Sequence, residues 1–273
     1  MTVSLMRPAQ LDYQPCRYGK SRVKFRGPMR SLEEPFVAFF GGTHTYGKYV
    51  ETPFPQQVEQ SLQFPCVNFG HMNAGIDLFL NDPALRHAAT DAQVTAVQVL
   101  SPRNMNNRFY TVHPLRNDRF VKPSLFLRAL YPDVDFTEIA FTRHLLIKLH
   151  TKDARRFRKV VDELRTAWVS RMRFLLSQIP GPIVLYWFSK RALDRGGEIF
   201  GDDPWFVTEE MVAELNPLIA EFVQIVPSSK ARAAGTDGMI LAEEERPMAE
   251  KMLGPISHQE AAHALTEAIG RHL

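Results

Sequence analysis

Cysteine is scarce in this chain, with Cys16 and Cys66 as the two cysteines among 273 residues. Two cysteines cannot build a disulfide framework or a cysteine-based zinc site, so neither organises the fold. Long apolar runs are missing too, because the best of them, residues 183–188, is far shorter than the roughly 20 residues of a membrane-spanning helix. The first ten residues lack the apolar core of a signal peptide. We therefore expect a cytoplasmic protein without a membrane partner.

Neither sign of charge is in large excess. Lysine and arginine total 33 against 30 acidic residues, which gives a net charge of +3. So small an excess, without a recognised nucleic-acid motif, argues against a nucleic-acid partner. The histidines do not show a paired metal-ligand spacing, and Gly19-Lys20-Ser21 lacks the upstream glycine and preceding strand of a phosphate-binding loop. We predict neither a metal nor a cofactor.

The chain does contain a regular alternation of apolar strands and helical segments. Residues 36–41, 66–70, 94–100, 183–188 and 222–227 are short, apolar and followed by turn-forming residues, which predicts strands. Helical periodicity is found in residues 54–62, 76–89, 123–178 and 208–221. Because parallel neighbours need crossover connections and both sheet faces must be covered, we predict an α/β fold. It is a three-layer α/β/α sandwich with a five-stranded parallel sheet of the flavodoxin-like type.

Two regions fall outside this alternation. Residues 1–35 carry basic, tyrosine and proline residues and are predicted to form a basic arm lying over the domain. Residues 101–180 form a helical insertion, whose second half, 152–178, is a long amphipathic helix with an apolar stripe for packing on the sheet. We predict a single domain over residues 1–273, and the long helix leaves room for a homo-oligomer interface. The stripe consists of Phe157, Val160, Val161, Leu164, Trp168, Met172 and Leu175.

Polar loops rich in small residues follow the first three predicted strands, where ligand sites of parallel sheets lie. The first, residues 41–47, reads Gly-Gly-Thr-His-Thr-Tyr-Gly, and the second, residues 68–75, reads Asn-Phe-Gly-His-Met-Asn-Ala-Gly. The third, residues 101–108, reads Ser-Pro-Arg-Asn-Met-Asn-Asn-Arg. A fourth segment, residues 255–258, reads Pro-Ile-Ser-His before the last helix. We expect these loops to converge, with Gly42, His44 and Asn73 among the residues that contact a ligand.

In order and spacing, the four segments resemble the sequence blocks of the SGNH or GDSL hydrolase superfamily. Residues 41–47 are similar to the first block, Gly-Asp-Ser-x-Thr-x-Gly, at all but two positions. The remaining blocks resemble Asn68, Gly70 and Gly75, the segment around Asn104, and the segment from Pro255 to His258. The whole chain also resembles an uncharacterised bacterial domain family, which implies no activity.

The hydrolase resemblance implies an esterase or acyltransferase. Thr43 would attack an acyl carbon and His258 would remove its proton. The N–H groups of Thr43 and Gly75 and the side chain of Asn104 would hold the oxyanion.

Three positions depart from that pattern. Thr43 stands where the family has serine, and its extra methyl group crowds a tetrahedral intermediate. Gly42 replaces the neighbouring aspartate, and Pro255 stands where the acid of the triad is expected, although Asp237 or a backbone carbonyl could substitute. The alternative is a catalytically reduced protein that binds an anionic ligand or a protein partner, in which Thr43 caps a helix.

Arginines and amides are concentrated in the insertion. Arg103, Asn107 and Arg108 follow the third strand, and Arg143 lies on a predicted helix. Because the planar guanidinium group binds phosphate, sulfate or carboxylate through two hydrogen bonds, we expect an anionic small-molecule or carbohydrate-linked substrate. A sulfotransferase-like group transfer is a weaker alternative, and a solvated basic face paired with nearby aspartates is another.

Overall fold

Five parallel strands form the centre of the fold and a two-stranded hairpin lies beside them. A computed structural model describes residues 11–193 and 199–273. The strands of this part of the chain are β1 (Val37–Phe40), β2 (Cys66–Asn68), β3 (Val94–Gln98), β4 (Tyr110–Val112), β5 (Phe120–Pro123), β6 (Ile183–Phe188) and β7 (Glu221–Ile225). The main sheet has the order β2-β1-β3-β6-β7, and every pair in it is parallel.

The predicted α/β sandwich and all five of its strands are confirmed. Every residue of β1, β3 and β6 is buried, as expected for strands covered on both faces. The strand order reverses direction between β1 and β3, so the loops after these two strands diverge to opposite faces and leave a crevice at their carboxyl ends.

Helices cover both faces of the sheet. In the described residues they are α1 (Thr43–Tyr46), α2 (Phe54–Leu62), α3 (Ile76–Asn81), α4 (Pro83–Asp91), α5 (Leu125–Leu130), α6 (Thr142–Lys152), α7 (Ala154–Ser177), α8 (Glu209–Ala213), α9 (Ser229–Ala234), α10 (Arg246–Ala249) and α11 (Pro255–Gly270). α2 and α11 pack on one face, and α3, α4 and α7 pack on the other. Across the described part of the chain, no helix combines the length and apolarity needed to cross a membrane.

Three predicted helical segments are subdivided. Residues 76–89 form α3 and α4, because Pro83 starts a new helix and the Asp82 carboxylate accepts the N–H groups of Ala84 and Leu85. Residues 123–178 form α5, α6 and α7, and the β4–β5 hairpin before them was not predicted. Residues 208–221 contain α8 and a 3₁₀ turn, because Pro217 has no backbone N–H with which to continue the α-helical hydrogen bonds.

α7 packs against the loop that follows β3. Its predicted stripe is buried except for the half-buried Val161, and the indole N–H of Trp168 donates to the Leu100 carbonyl at 2.7 Å. Arg171 forms an ion pair with the buried Asp77, whose other carboxylate oxygen accepts two N–H groups of Asn106. The insertion therefore fixes the backbone around the third polar loop.

The N-terminal segment contributes to the core. Cys16 and Phe25 pair in an antiparallel bridge, and Tyr18 and Phe25 are buried. The buried guanidinium of Arg26 donates to the carbonyl oxygens at the end of α1 and beyond it. Residues 1–10 of the predicted arm lie outside the described residues. The N-terminal segment therefore stabilises the backbone of the first polar loop through the hydrogen bonds of Arg26.

Candidate functional site

A cavity of about 550 Å³ opens at the carboxyl ends of β1, β3 and β6. It lies at the crevice where the strand order reverses, as the polar loops predict. Its walls consist of residues from the loops after β1, β2, β3 and β6. α6 and the segment after α10 contribute further residues. The polar and charged lining comprises Thr43, His44, Asn73, Gln98, Ser101, Arg103, Asn104, Arg143, Lys190, Asp202, Asp203 and Lys251.

The Thr43 hydroxyl lines the cavity and is hydrogen-bonded to one residue. The Asn73 N–H donates to Thr43 Oγ1 at 2.9 Å, and the hydroxyl lies 3.4 Å from Asn73 Oδ1. Asn73 Nδ2 donates to the Asp118 carboxylate at 3.3 Å, which turns the amide oxygen toward Thr43. An amide oxygen is not a base, so in the described residues Thr43 has no partner that could take its proton. Its hydroxyl does not cap α1 either.

Gly75 does not face Thr43 as an oxyanion donor. Its N–H donates to Asn117 Oδ1 at 2.7 Å. A Cβ atom at Gly75 would stand 1.6 Å from the Asn104 carbonyl oxygen, so the glycine permits a close approach of two backbones. The N–H that meets Thr43 belongs to Asn73, whose φ of +57° is in the left-handed region. This geometry corrects the predicted role of Gly75.

His258 occupies a structural position. Its Nδ1 accepts the backbone N–H of Phe54, the first residue of α2, at 3.1 Å. The imidazole is packed between the rings of Phe54 and Phe188, and burial lowers the pKa of His258 to about 3. His258 is thus neutral at physiological pH, with its proton on Nε2 and its acceptor nitrogen occupied.

The predicted role of His258 as the base is therefore contradicted. Within residues 11–193 and 199–273, His258 forms no hydrogen bond with Thr43, and it does not line the cavity. Its imidazole satisfies one of the N–H groups that the start of α2 leaves without an intrahelical partner.

His44 is the histidine that lines the cavity. Burial lowers its pKa, while the backbone carbonyl of Phe188 and the charge of Asp203 act in the opposite direction. His44 follows Thr43 directly in α1, and adjacent residues of a helix do not face each other. The imidazole is therefore a neutral wall group and cannot serve Thr43 as a base.

Asn104 and Gly42 form hydrogen bonds between the segments that line the cavity. Asn104 Oδ1 accepts the Thr142 hydroxyl at 2.9 Å, and its Nδ2 lies 3.4 Å from the Asn73 carbonyl oxygen. The Gly42 N–H donates to Gln98 Oε1 at 2.8 Å. Asn104 thus contacts the backbone of the loop after β2, and its donation to an oxyanion stays a prediction. The Gly42 N–H is already satisfied.

Four cationic side chains line the cavity. Arg103 binds Asp203 through both terminal nitrogens, at 2.7 and 2.6 Å. Arg143 lies over the Trp205 ring, with its Cζ 4.8 Å from the ring centroid, and Lys190 Nζ donates to a backbone carbonyl. In the part of the chain that the structure describes, Arg143, Lys190 and Lys251 form no ion pair. The cavity therefore keeps an excess of positive charge, because Asp202 is the remaining carboxylate of its lining.

Two predicted ligand contacts lie elsewhere. Asn107 closes a turn, because its Oδ1 accepts the N–H groups of Phe109 and Tyr110. Arg108 is exposed and pairs with Glu163 at 3.7 Å. Neither lines the cavity, because Asn107 is bonded within its own turn and Arg108 extends to α7.

Several lining residues were absent from the prediction. Lys190 follows the carboxyl end of β6 and could have been found by the rule that identified the first three loops. Lys251 and the segment of residues 202–204 carry no local signal, since they reach the cavity through long-range packing.

Solved structures with a similar course of the chain share little sequence with it. One is a Lactobacillus plantarum protein, at 13% identity and a TM-score of 0.42, with 88% of this chain and 98% of that chain covered. A second is a lipase from a goat rumen metagenome, at 12% identity and a TM-score of 0.44, with 86% and 97% covered. A third is a gut microbial diltiazem-metabolising enzyme, at 13% identity and a TM-score of 0.34, with 87% and 47% covered.

Curated proteins contain no match to this chain. A family model does match it, from the first residue to the last. Over residues 1–273 the protein belongs to the family described as Domain of unknown function (DUF6473).

Proposed function

We propose that this protein binds a small anionic ligand, carrying a carboxylate, phosphate or sulfate group, in the cavity at the carboxyl edge of the sheet. The observation that carries the proposal is the set of three cations, Arg143, Lys190 and Lys251, that line one cavity without a carboxylate partner in the described residues. Like charges gathered around one cavity repel each other, and an anion relieves that repulsion.

The lining of the cavity also offers neutral polar groups. Thr43, Asn73 and Asn104 are joined by hydrogen bonds through the loops after β1, β2 and β3. Hydroxyl and amide groups of this kind orient a bound ligand without adding charge. The cavity thus combines cationic groups with neutral groups that can position a ligand.

Among the residues that the structure describes, Thr43 has no adjacent base, which favours binding over hydrolysis. Thr43 is hydrogen-bonded to an amide, and His258 accepts the Phe54 N–H. A hydroxyl nucleophile needs an adjacent base, and its loss in a triad costs several orders of magnitude in rate. The geometry therefore supports the catalytically reduced alternative of the hydrolase resemblance.

Calorimetric titration with phosphate, sulfate and acetate tests the proposal. We expect binding of at least one of these anions, with an affinity that falls as salt is added. Arg143→Ala should weaken it about tenfold or more, because a charge-assisted hydrogen bond is lost. Arg143 is exposed and packs on Trp205, so its removal leaves the core intact.

The matched control is Arg158→Ala, which removes an exposed arginine on α7 outside the cavity lining. Equal affinities in the two variants would contradict the proposal. So would the lack of any binding heat with all three anions at millimolar concentration.

A second candidate is acyl transfer by Thr43 on an anionic or carbohydrate-linked ester. The observation in its favour is the Asn73 N–H at 2.9 Å from Thr43 Oγ1, at a point where it could also meet an oxyanion. Turnover of a short acyl ester by the protein and by Thr43→Ala tests it.

A further inference from the structure

The insertion exposes a cluster of large apolar side chains. Leu125 and Phe126 at the start of α5 are 83% and 65% exposed, and Val121 and Phe141 beside them are 53% and 40% exposed. We call these four residues the insertion patch. Met29 and Phe174, which are exposed to a similar degree, are far from it in sequence. Clustered exposure of this kind marks an interaction surface, whereas single exposed residues do not.

The local structure holds these side chains outward. Leu127 is fully buried and the Ser124 hydroxyl accepts its N–H at 3.2 Å, so α5 is fixed at its N-terminus. Successive helical residues are about 100° apart, so Leu125 and Phe126 cannot turn inward while Leu127 is buried. In the hairpin, the β4–β5 pairing passes from Lys122 to Phe120 and leaves Val121 as an extra residue facing solvent.

Phe141, at the start of α6, pairs with the residues that precede β5. Arg119 and Phe141 pair in an antiparallel bridge, and the Arg119 guanidinium carbon lies 4.0 Å from the Phe141 ring centroid. Thr142, the next residue, contacts Asn104 in the cavity wall. The insertion patch therefore lies beside the proposed ligand cavity.

Cations are interleaved with the patch residues along the sequence. Residues 116–128 contain four of them and a single acid, Asp118, which accepts the Asn73 amide. Within the ranges that the structure describes, none of the four forms an ion pair. They are Arg116, Arg119, Lys122 and Arg128.

We propose that the insertion patch docks on an anionic lipid surface, with Leu125 and Phe126 entering the boundary between headgroups and acyl chains. Protruding apolar side chains flanked by lysine and arginine are what such a surface binds. Docking of this kind needs no membrane-spanning helix. It departs from the expectation of no membrane partner, which rested on the lack of a long apolar run and of a signal-peptide core.

A second copy of the chain fits the patch less well. A two-fold interface centred on the patch would bring the cations beside one patch close to those beside the other. Like charges at an interface oppose association. The unpaired cations instead favour an anionic surface.

Vesicle co-sedimentation tests the proposal. We expect the full chain to bind vesicles of phosphatidylcholine and phosphatidylglycerol in equal parts, and not vesicles of pure phosphatidylcholine. The double variant Leu125→Gln/Phe126→Gln should lower the partition coefficient about tenfold or more. Lys122→Gln and Arg128→Gln should each lower it about fivefold at low salt.

The matched control is Phe174→Gln, because Phe174 is 58% exposed on α7, outside the patch. It should bind like the unmodified protein. Unfolding temperatures of all variants should agree within a few degrees, since exposed side chains contribute little packing.

Three results would overturn the proposal. One is the lack of binding to either vesicle, and another is equal binding by the double variant and the control. The third is a dimer, measured by light scattering, that becomes monomeric in the double variant, because the patch would then bind a second copy.

Discussion

Acidification is expected to destabilise the protein through His258. The unfolded chain binds a proton at this imidazole with a pKa near 6.5, while the folded chain does so with a pKa of about 3. Below pH 6.5 the unfolded state therefore binds more protons, and stability falls as the pH falls, until it levels off near pH 3. The cause is the burial of His258, which disfavours the charged imidazolium in the folded state.

The magnitude follows from the shift. At pH 5 the unfolded state gains about 2 kcal/mol relative to pH 7.5, because each pH unit below 6.5 contributes roughly 1.4 kcal/mol. His258→Asn removes the titrating group and keeps an acceptor near Nδ1 for the Phe54 N–H. The variant should be less stable at pH 7.5 by about 1–3 kcal/mol, because it packs less volume. Between pH 7.5 and pH 5, its free energy of unfolding should fall by about 2 kcal/mol less than that of the unmodified protein.

Urea unfolding at pH 7.5, 6.5, 5.5 and 5.0 provides the measurement. The difference between the two proteins isolates His258 from His44 and His71, whose pKa values are also lowered by burial. His263→Asn is the control, because His263 lies on the same helix and is exposed. An unchanged pH slope in His258→Asn would refute the reasoning, as would a histidine NMR signal from His258 that titrates near pH 6.5.

Two further predictions concern the loops of the cavity. Thr43→Ala should leave turnover of p-nitrophenyl acetate at the background level of the unmodified protein, since Thr43 is bound to Asn73 and lacks a base; a hundredfold loss would instead establish acyl transfer. Gly75→Ala should cost about 3 kcal/mol or more in urea unfolding, because its Cβ would stand 1.6 Å from the Asn104 carbonyl oxygen. Gly270→Ala has room for its Cβ and should be nearly neutral, so equal stability of the two variants would contradict this account.

The sheet could be predicted because its signal is local. β6 is a continuous run of apolar residues, and such runs are buried on both faces wherever they lie in the chain. The long helix α7 was predictable for the same reason, since its apolar period specifies the buried face. The hairpin β4–β5 was missed because its two short strands include Thr111, Lys122 and Pro123, so that neither forms a continuous apolar run.

The sequence was enough to predict where the candidate site lies, but not what each of its residues contacts. The rule for parallel sheets placed Thr43 and Asn104 at one edge from sequence alone. The choice between Asn73 and Gly75 as the neighbour of Thr43 depended on the backbone conformation of one loop, since both residues carry an N–H. Residue type does not encode that conformation.

By itself, the sequence determined the α/β class, the strands of the sheet and the edge where polar loops gather, because hydrophobic pattern and turn chemistry act over a few residues. Tertiary structure alone decided what each polar group contacts. His258 meets Phe54 across 204 residues of chain, and Lys251 reaches a cavity built by β1, β3 and β6. Hydrogen bonds and charge pairs need positions correct to a few tenths of an ångström, which arise when distant segments pack and are absent from any local pattern.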